Sequence, residues 1–140
     1  MLITGGYRDP HSRTALRSAE VFLPSTNSSC RLAEMRSARY RHSLTGLLAC
    51  GGEGGEEESR RSCEELRGGG WTEGARLASQ GRAGHTAWEA NGSVLLMGDF
   101  TDQEDSQAET TEIIETNTNT SDSFYQLKLK IRWEPYYTRV

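Results

Sequence analysis

Two histidines stand in matching frames. Arg39-Tyr40-Arg41-His42-Ser43 recurs 43 residues later as Arg82-Ala83-Gly84-His85-Thr86. Histidine is the side chain best suited to acid–base work near neutral pH, so His42 and His85 are the first candidates for chemistry. Their recurrence points the other way. An active site is normally built once per chain, whereas a structural contact is built once per repeat. His11 stands alone in a polar stretch and reads as an exposed side chain. There is no His-Glu-x-x-His, and the three histidines are too far apart in sequence to form a local metal box; only the fold could bring them together.

Other candidates are weaker. Gly51-Gly52-Glu53-Gly54-Gly55 has the look of a phosphate loop, but Glu53, Glu56, Glu57 and Glu58 would repel phosphate and no Gly-Lys-Ser/Thr follows. Gly68-Gly69-Gly70 reads as a turn between strands. Asp99, Asp102, Glu104 and Asp105 could offer hard oxygens to Ca²⁺, but the spacing of an EF-hand loop is missing, and a solvated loop is the favoured reading. No Gly-x-Ser-x-Gly is present, and no Ser, His and carboxylate share a recognisable frame. No catalytic, metal-binding or cofactor-binding residue is assigned.

Whatever these residues do, short elements must hold them. The chain has 140 residues, 16 basic and 20 acidic, for a net charge of −4. Leu, Ile, Val and Phe number only 23, so the core is modest but the charge is too low to force disorder. No apolar run approaches the roughly 18 residues of a membrane helix, and Met1 to Gly6 lacks the basic start and apolar stretch of a signal peptide. Mild acidity argues against binding nucleic acid through phosphate contacts. Fifteen glycines, mostly in doublets and triplets, discourage long helices. Apolar runs of three to five residues, each stopped by glycine or a polar cluster, predict short strands in an all-β protein.

The runs repeat. Leu2-Ile3-Thr4-Gly5-Gly6, Leu47-Leu48-Ala49-Cys50-Gly51-Gly52 and Val94-Leu95-Leu96-Met97-Gly98-Asp99 place Gly5, Gly51 and Gly98 at steps of 46 and 47. Each is followed by a further run: Ser18-Ala19-Glu20-Val21-Phe22, Ser62-Cys63-Glu64-Glu65-Leu66 and Thr110-Thr111-Glu112-Ile113-Ile114. Together with the Arg-x-x-His frames, these features resemble the kelch repeat, whose pattern is Arg-x-x-His-Ser/Thr, a strand ending in a glycine doublet, a variable loop, a strand with a small polar start, then an aromatic, usually Trp. The unit from Arg39 to Gly81 matches best, with His42, Gly51, Gly52, Glu64, Leu66 and Trp71. The unit from Arg82 has His85 and Gly98, but Asp99 replaces the second glycine and Phe124 or Tyr125 stands where Trp is expected. The opening unit has Gly5, Gly6, Glu20 and Phe22, with Cys30 in the Trp place and no first strand.

The resemblance implies an incomplete kelch-type β-propeller, open rather than closed, with about three four-stranded antiparallel blades. Residues 1–38 form a first, incomplete blade, 39–81 a second and 82–131 a third, with 132–140 a divergent tail. Expected strands are 2–5, 19–23, 30–33, 41–46, 47–51, 62–66, 71–76, 84–90, 93–98, 110–115 and 123–131. Closed propellers use about 4–8 blades, so two faces stay uncovered and self-association through them is an expectation. The glycines give φ > 0 and close backbone approach, and the Arg and His are expected to satisfy backbone carbonyls between blades. In the tail, Leu127, Leu129 and Ile131 alternate with Lys128, Lys130 and Arg132, as in an edge strand.

Cys50 and Cys63 fall on adjacent expected strands. They can form a disulfide if they face each other, leaving Cys30 over; three reduced thiols are the alternative. Asn27-Ser28-Ser29, Asn91-Gly92-Ser93 and Asn119-Thr120-Ser121 are N-glycan acceptor triplets, which tilt the reading toward an extracellular full-length parent.

The expected function is that of a non-enzymatic protein-interaction module, since kelch-type propellers bind partners through the loops that join their strands. The candidate loops are Tyr7 to Thr14, Glu53 to Arg61 and Phe100 to Glu109, with Tyr7, Arg8, Arg60 and Arg61 as contact residues. Neither nucleic acid nor membrane is an expected partner. The alternatives are a truncated product without its own activity, or a fragment similar to galactose oxidase, a copper enzyme that uses tyrosines, a Tyr–Cys cross-link and histidines.

Overall fold

The computed structural model describes residues 1–9, 11, 14–55, 59–77, 81–98, 111–115 and 126–129. Across these residues the chain forms eleven β-strands in three antiparallel sheets, with no helix. The first sheet holds β1 (Leu2–Thr4), β2 (Ala19–Leu23) and β3 (Ser28–Arg31). The middle sheet holds β4 (Ser43–Thr45), β5 (Leu48–Cys50), β6 (Ser62–Arg67) and β7 (Gly70–Arg76). The third holds β8 (Thr86–Ala90), β9 (Ser93–Met97), β10 (Thr111–Glu115) and β11 (Gln126–Leu129). Each sheet is a meander in which sequence neighbours are also hydrogen-bonded neighbours. The expected all-β architecture is present, and it is open.

Local sequence explains the strand ends. In the third sheet Ala90 pairs with Ser93 across the two residues Asn91 and Gly92, whose φ values are 52° and 75°. Positive φ at both central positions is what a type I′ hairpin turn needs, and Asn-Gly is its preferred pair.

Side-chain alternation then builds two cores. Along β5, Leu48 and Cys50 turn to one side and Ala49 to the other. Leu48 and Cys50 join Cys63, Ala75, Leu77, Val94, Leu96 and Ile114 between the middle and third sheets. Ala49 joins Ala19, Met35 and Trp71 between the first and middle sheets, with Leu2, Leu32, Leu44 and Leu66 packed alongside. The middle sheet is therefore covered on both faces, and all three residues of β5 are buried. In β3, by contrast, all four residues are exposed. Cys50 lies opposite Cys63 in the β5–β6 register, and the two form a disulfide; Cys30 is exposed and free.

One expectation needs correction. Trp71 pairs with Leu66, and the matching pair in the first sheet is Phe22 with Ser29. Ser29, not Cys30, holds the Trp place; Cys30 is opposite Val21. A one-residue offset sends a strand side chain to the other face, so apolar runs alone misplaced it. In the third sheet Ile114 pairs with Gln126, while Phe124 and Tyr125 lie outside the described residues. Residues 99–110, with the acidic cluster, and residues 130–140 also lie outside them.

Trp71 is 7 % exposed and its indole N–H donates to the Ala33 carbonyl at 2.9 Å, so it closes the first junction with both an apolar face and a hydrogen bond. Trp71→Ala is expected to cost about 3–5 kcal/mol, read as a lowered urea midpoint; an unchanged midpoint would mean that the ring is not part of the core.

Candidate functional site

The residues that could do chemistry converge on the two sheet junctions. Gly6 N–H donates to the Arg39 carbonyl at 2.9 Å, and Gly52 N–H donates to the Arg82 carbonyl at 2.7 Å. Gly5 and Gly51, with φ of 59° and 66°, lie directly against these carbonyls and against the rings of His42 and His85. A Cβ on Gly51 would come within 2.5 Å of the Arg82 oxygen and 2.7 Å of the His85 Cε1. No side chain fits there, and L residues resist that backbone conformation as well. Gly98 has φ of 75°, but nothing among the described residues stands within 4 Å of its Cβ direction.

The arginine side chains turn inward. Arg39 donates to the Gly51 and Ser62 carbonyls at 2.7 and 2.9 Å, and to the Glu64 carboxylate at 2.6 Å. Arg82 repeats this with the Gly98 carbonyl at 3.2 Å and Glu112 at 3.3 Å. Both guanidinium groups are wholly buried. Burial pulls Arg39 below the usual guanidinium value, with Glu64 working against that pull. Burial alone would raise Glu64, but Arg39 and the Arg36 and Ser37 amides hold it below the usual carboxylate value. The expectation that the arginine side chains bridge blades is thus corrected. The guanidinium serves its own sheet, and it is the arginine's backbone carbonyl that bridges.

The histidines bridge through hydroxyls rather than carbonyls. His42 Nε2 lies 2.8 Å from Thr4 Oγ1, and His85 Nε2 lies 2.8 Å from Ser43 Oγ. Each pair has the shape of a base and a nucleophile, but no carboxylate orients the ring: Nδ1 of both is buried without a hydrogen-bond partner among the described residues. Burial, assisted by Arg39 for His42 and by Arg82 for His85, pushes both down to about 4. Both are neutral at pH 7. Glu64, which with Cys63 and Glu73 lines a polar cavity of about 320 Å³, already accepts three hydrogen bonds, from Arg39 and the Arg36 and Ser37 amides. Among the described residues no group of three or more His, Cys, Asp and Glu is placed to hold a metal.

The predicted contact residues divide. Tyr7 is 48 % exposed, with its ring edge-on to Tyr40, and Arg8 is exposed. Arg60 and Arg61 are only half-exposed and are tied down. Arg60 Nε donates to the Ala38 carbonyl at 3.1 Å, and Arg61 Nε donates to the Leu77 carbonyl at 2.9 Å. Arg17 does the same job in the first sheet, donating to the Met35 carbonyl at 2.7 Å. Arg61 is therefore a repeated structural residue. The 44-residue step from Arg17 to Arg61 was a readable signal for this role. Trp88, 62 % exposed on β8, was missed because Ala87 alone marks the core side of that strand.

No protein-family model and no curated protein matches the chain. Among solved structures it is similar to YjhT, with a TM-score of 0.77 at 11 % identity over 96 % of this chain and 49 % of that one. The likeness is one of fold, and the chain spans about half the length of that structure. Three sheets side by side, joined by the same contacts twice, settle the architecture. The fold is an incomplete, open β-propeller. Its sheets are blades, and the long connections after Gly5, Gly51 and Gly98 all leave from one end of them.

Two predictions follow from the junction geometry. Gly5→Val and Gly51→Val are each expected to destabilise by a few kcal/mol, through positive φ and contact with the next arginine; a variant that melts like the parent would refute the packing. The histidines give a pH dependence. Between pH of about 6.5 and about 4 the unfolded chain binds protons that the folded chain refuses, so stability falls as pH drops through that window. The slope is at most roughly 1.4 kcal/mol per pH unit for each histidine. Urea midpoints at pH 7.5, 6 and 5 should decline, and His42→Gln should flatten the decline.

Proposed function

We propose that the chain is a non-enzymatic protein-interaction module, a kelch-type propeller fragment that binds a protein partner through the connections at one end of its blades. The observation that carries this reading is the fate of the reactive side chains. His42, His85, Arg39 and Arg82 are used in blade-to-blade and within-blade contacts, whereas Tyr7 and Arg8 stand exposed at the loop end. The kelch resemblance supports it, because the Arg-x-x-His frame and the glycine doublet make one recurring junction. A copper-oxidase reading has less support: Cys63 is bonded to Cys50 and is not free for a cross-link to tyrosine. Self-association through the uncovered blade faces belongs to the same proposal, and sedimentation across a concentration series tests it.

Tyrosine and arginine are the residue types that dominate binding hot spots, where truncation costs about 2 kcal/mol or more. The double variant Tyr7→Ala/Arg8→Ala should keep the parent's melting temperature and lose at least tenfold in affinity for a partner captured by the parent chain. A folded double variant that binds that partner as tightly as the parent does would place the contact elsewhere.

A further inference from the structure

Four asparagines occur in the chain, and three of them stand two residues before Ser or Thr: Asn27, Asn91 and Asn119. Ser and Thr make up 27 of 140 residues, so composition alone would put about one asparagine in five in that position. Asn119 lies outside the described residues; the other two have well-defined places.

Both are at the tips of hairpins. Asn91 is in the two-residue turn between β8 and β9, and Asn27 closes the four-residue turn between Leu23 and Ser28 that joins β2 to β3. Their φ values are 52° and 47°, and both side chains are exposed. Positive φ accounts for asparagine at each turn. It makes no demand for a hydroxyl two residues on, where Ser29 and Ser93 stand.

The two tips also share one end of the propeller. In a meander the first and third connections leave from one end and the second from the other. The β8–β9 turn is a first connection. The β2–β3 turn matches the β6–β7 turn of the middle blade, a third connection. Blade ends are aligned: Glu89 Oε2, beside the β8–β9 turn, approaches the Cβ direction of Gly46 in the β4–β5 turn at 3.0 Å. The long connections that carry Tyr7 and Arg8 leave from the opposite end. The Cys50–Cys63 disulfide adds an independent observation, since such bonds persist in the oxidising compartments where N-glycans are attached.

We infer that Asn27 and Asn91 are N-glycan acceptors that mark the hairpin end of the propeller as its sugar-bearing face. In the modification, a bond forms between the asparagine Nδ2 and the anomeric carbon of a sugar. The bond from that carbon to the pyrophosphate of a lipid-linked glycosyl donor breaks, and the amide proton leaves with the pyrophosphate. This inference does not rest on the proposed binding function.

The test is expression of the full chain behind a cleavable secretion signal in cultured animal cells. Peptide mass spectrometry before and after peptide N-glycosidase treatment reads the occupancy. Attachment precedes folding, so retained chain can be analysed as well as secreted chain. The expected result is Asn27 and Asn91 both converted to Asp by the enzyme. Ser29→Ala should abolish conversion at Asn27 alone, and Ser93→Ala at Asn91 alone, while each asparagine stays in its turn. A chain from which the signal has been cleaved, with either asparagine unmodified, overturns the inference.

Discussion

A guanidinium taken wholly out of water must have its charge answered by the protein, and each buried donor left unanswered costs stability. The charge of Arg39 is met by the carboxylate of Glu64, and its two terminal nitrogens donate to that carboxylate and to two carbonyls of its own blade, while its buried Nε has no partner among the described residues. Because the side chain is held so firmly, its backbone carbonyl is fixed as well, and that carbonyl receives the Gly6 amide of the preceding blade. Arg82 repeats the arrangement with Glu112 and Gly52. In the second and third blades, one residue therefore couples the inside of its blade to the edge of the neighbour. The apolar clusters add area, but they do not set position in this way.

The consequence can be seen where the arrangement is incomplete. Glu20 matches Glu64 and Glu112 in register, yet no arginine of the repeat stands before it in this chain. Its side chain is 38 % exposed, and its nearest cation is Arg31 at 4.0 Å, a surface contact worth little. The same carboxylate position is thus buried and structural in two blades and open in the first. What the junctions do not consume is the connections at one end and the hairpin tips at the other.

Much of this was legible in the residues. Glycine recurrence at steps of 46 and 47 located the strand ends, and the alternation of β5 follows from three short side chains between turns. What was not legible has physical causes. The β2–β3 turn has four residues where the β6–β7 turn has two, so counting along apolar runs misplaced the partner of Phe22. Arg60 and Arg61 read as contact residues because they sit in a polar stretch. A long guanidinium side chain can instead reach back to a neighbouring carbonyl, and composition does not distinguish the two fates. The histidine frames were readable as recurring units, but the hydroxyl partners Thr4 and Ser43 lie 38 and 42 residues away and only the fold joins them.

The disulfide of the middle blade joins neighbouring strands across the whole Gly- and Glu-rich connection, a span of 13 residues. A protease that cuts within that connection, for instance after Arg60 or Arg61, would nick the chain without dividing it. The two pieces would stay together as one molecule through the sulfur bridge, and would part only when a reductant reaches a bond whose sulfur-bearing residues are both fully buried.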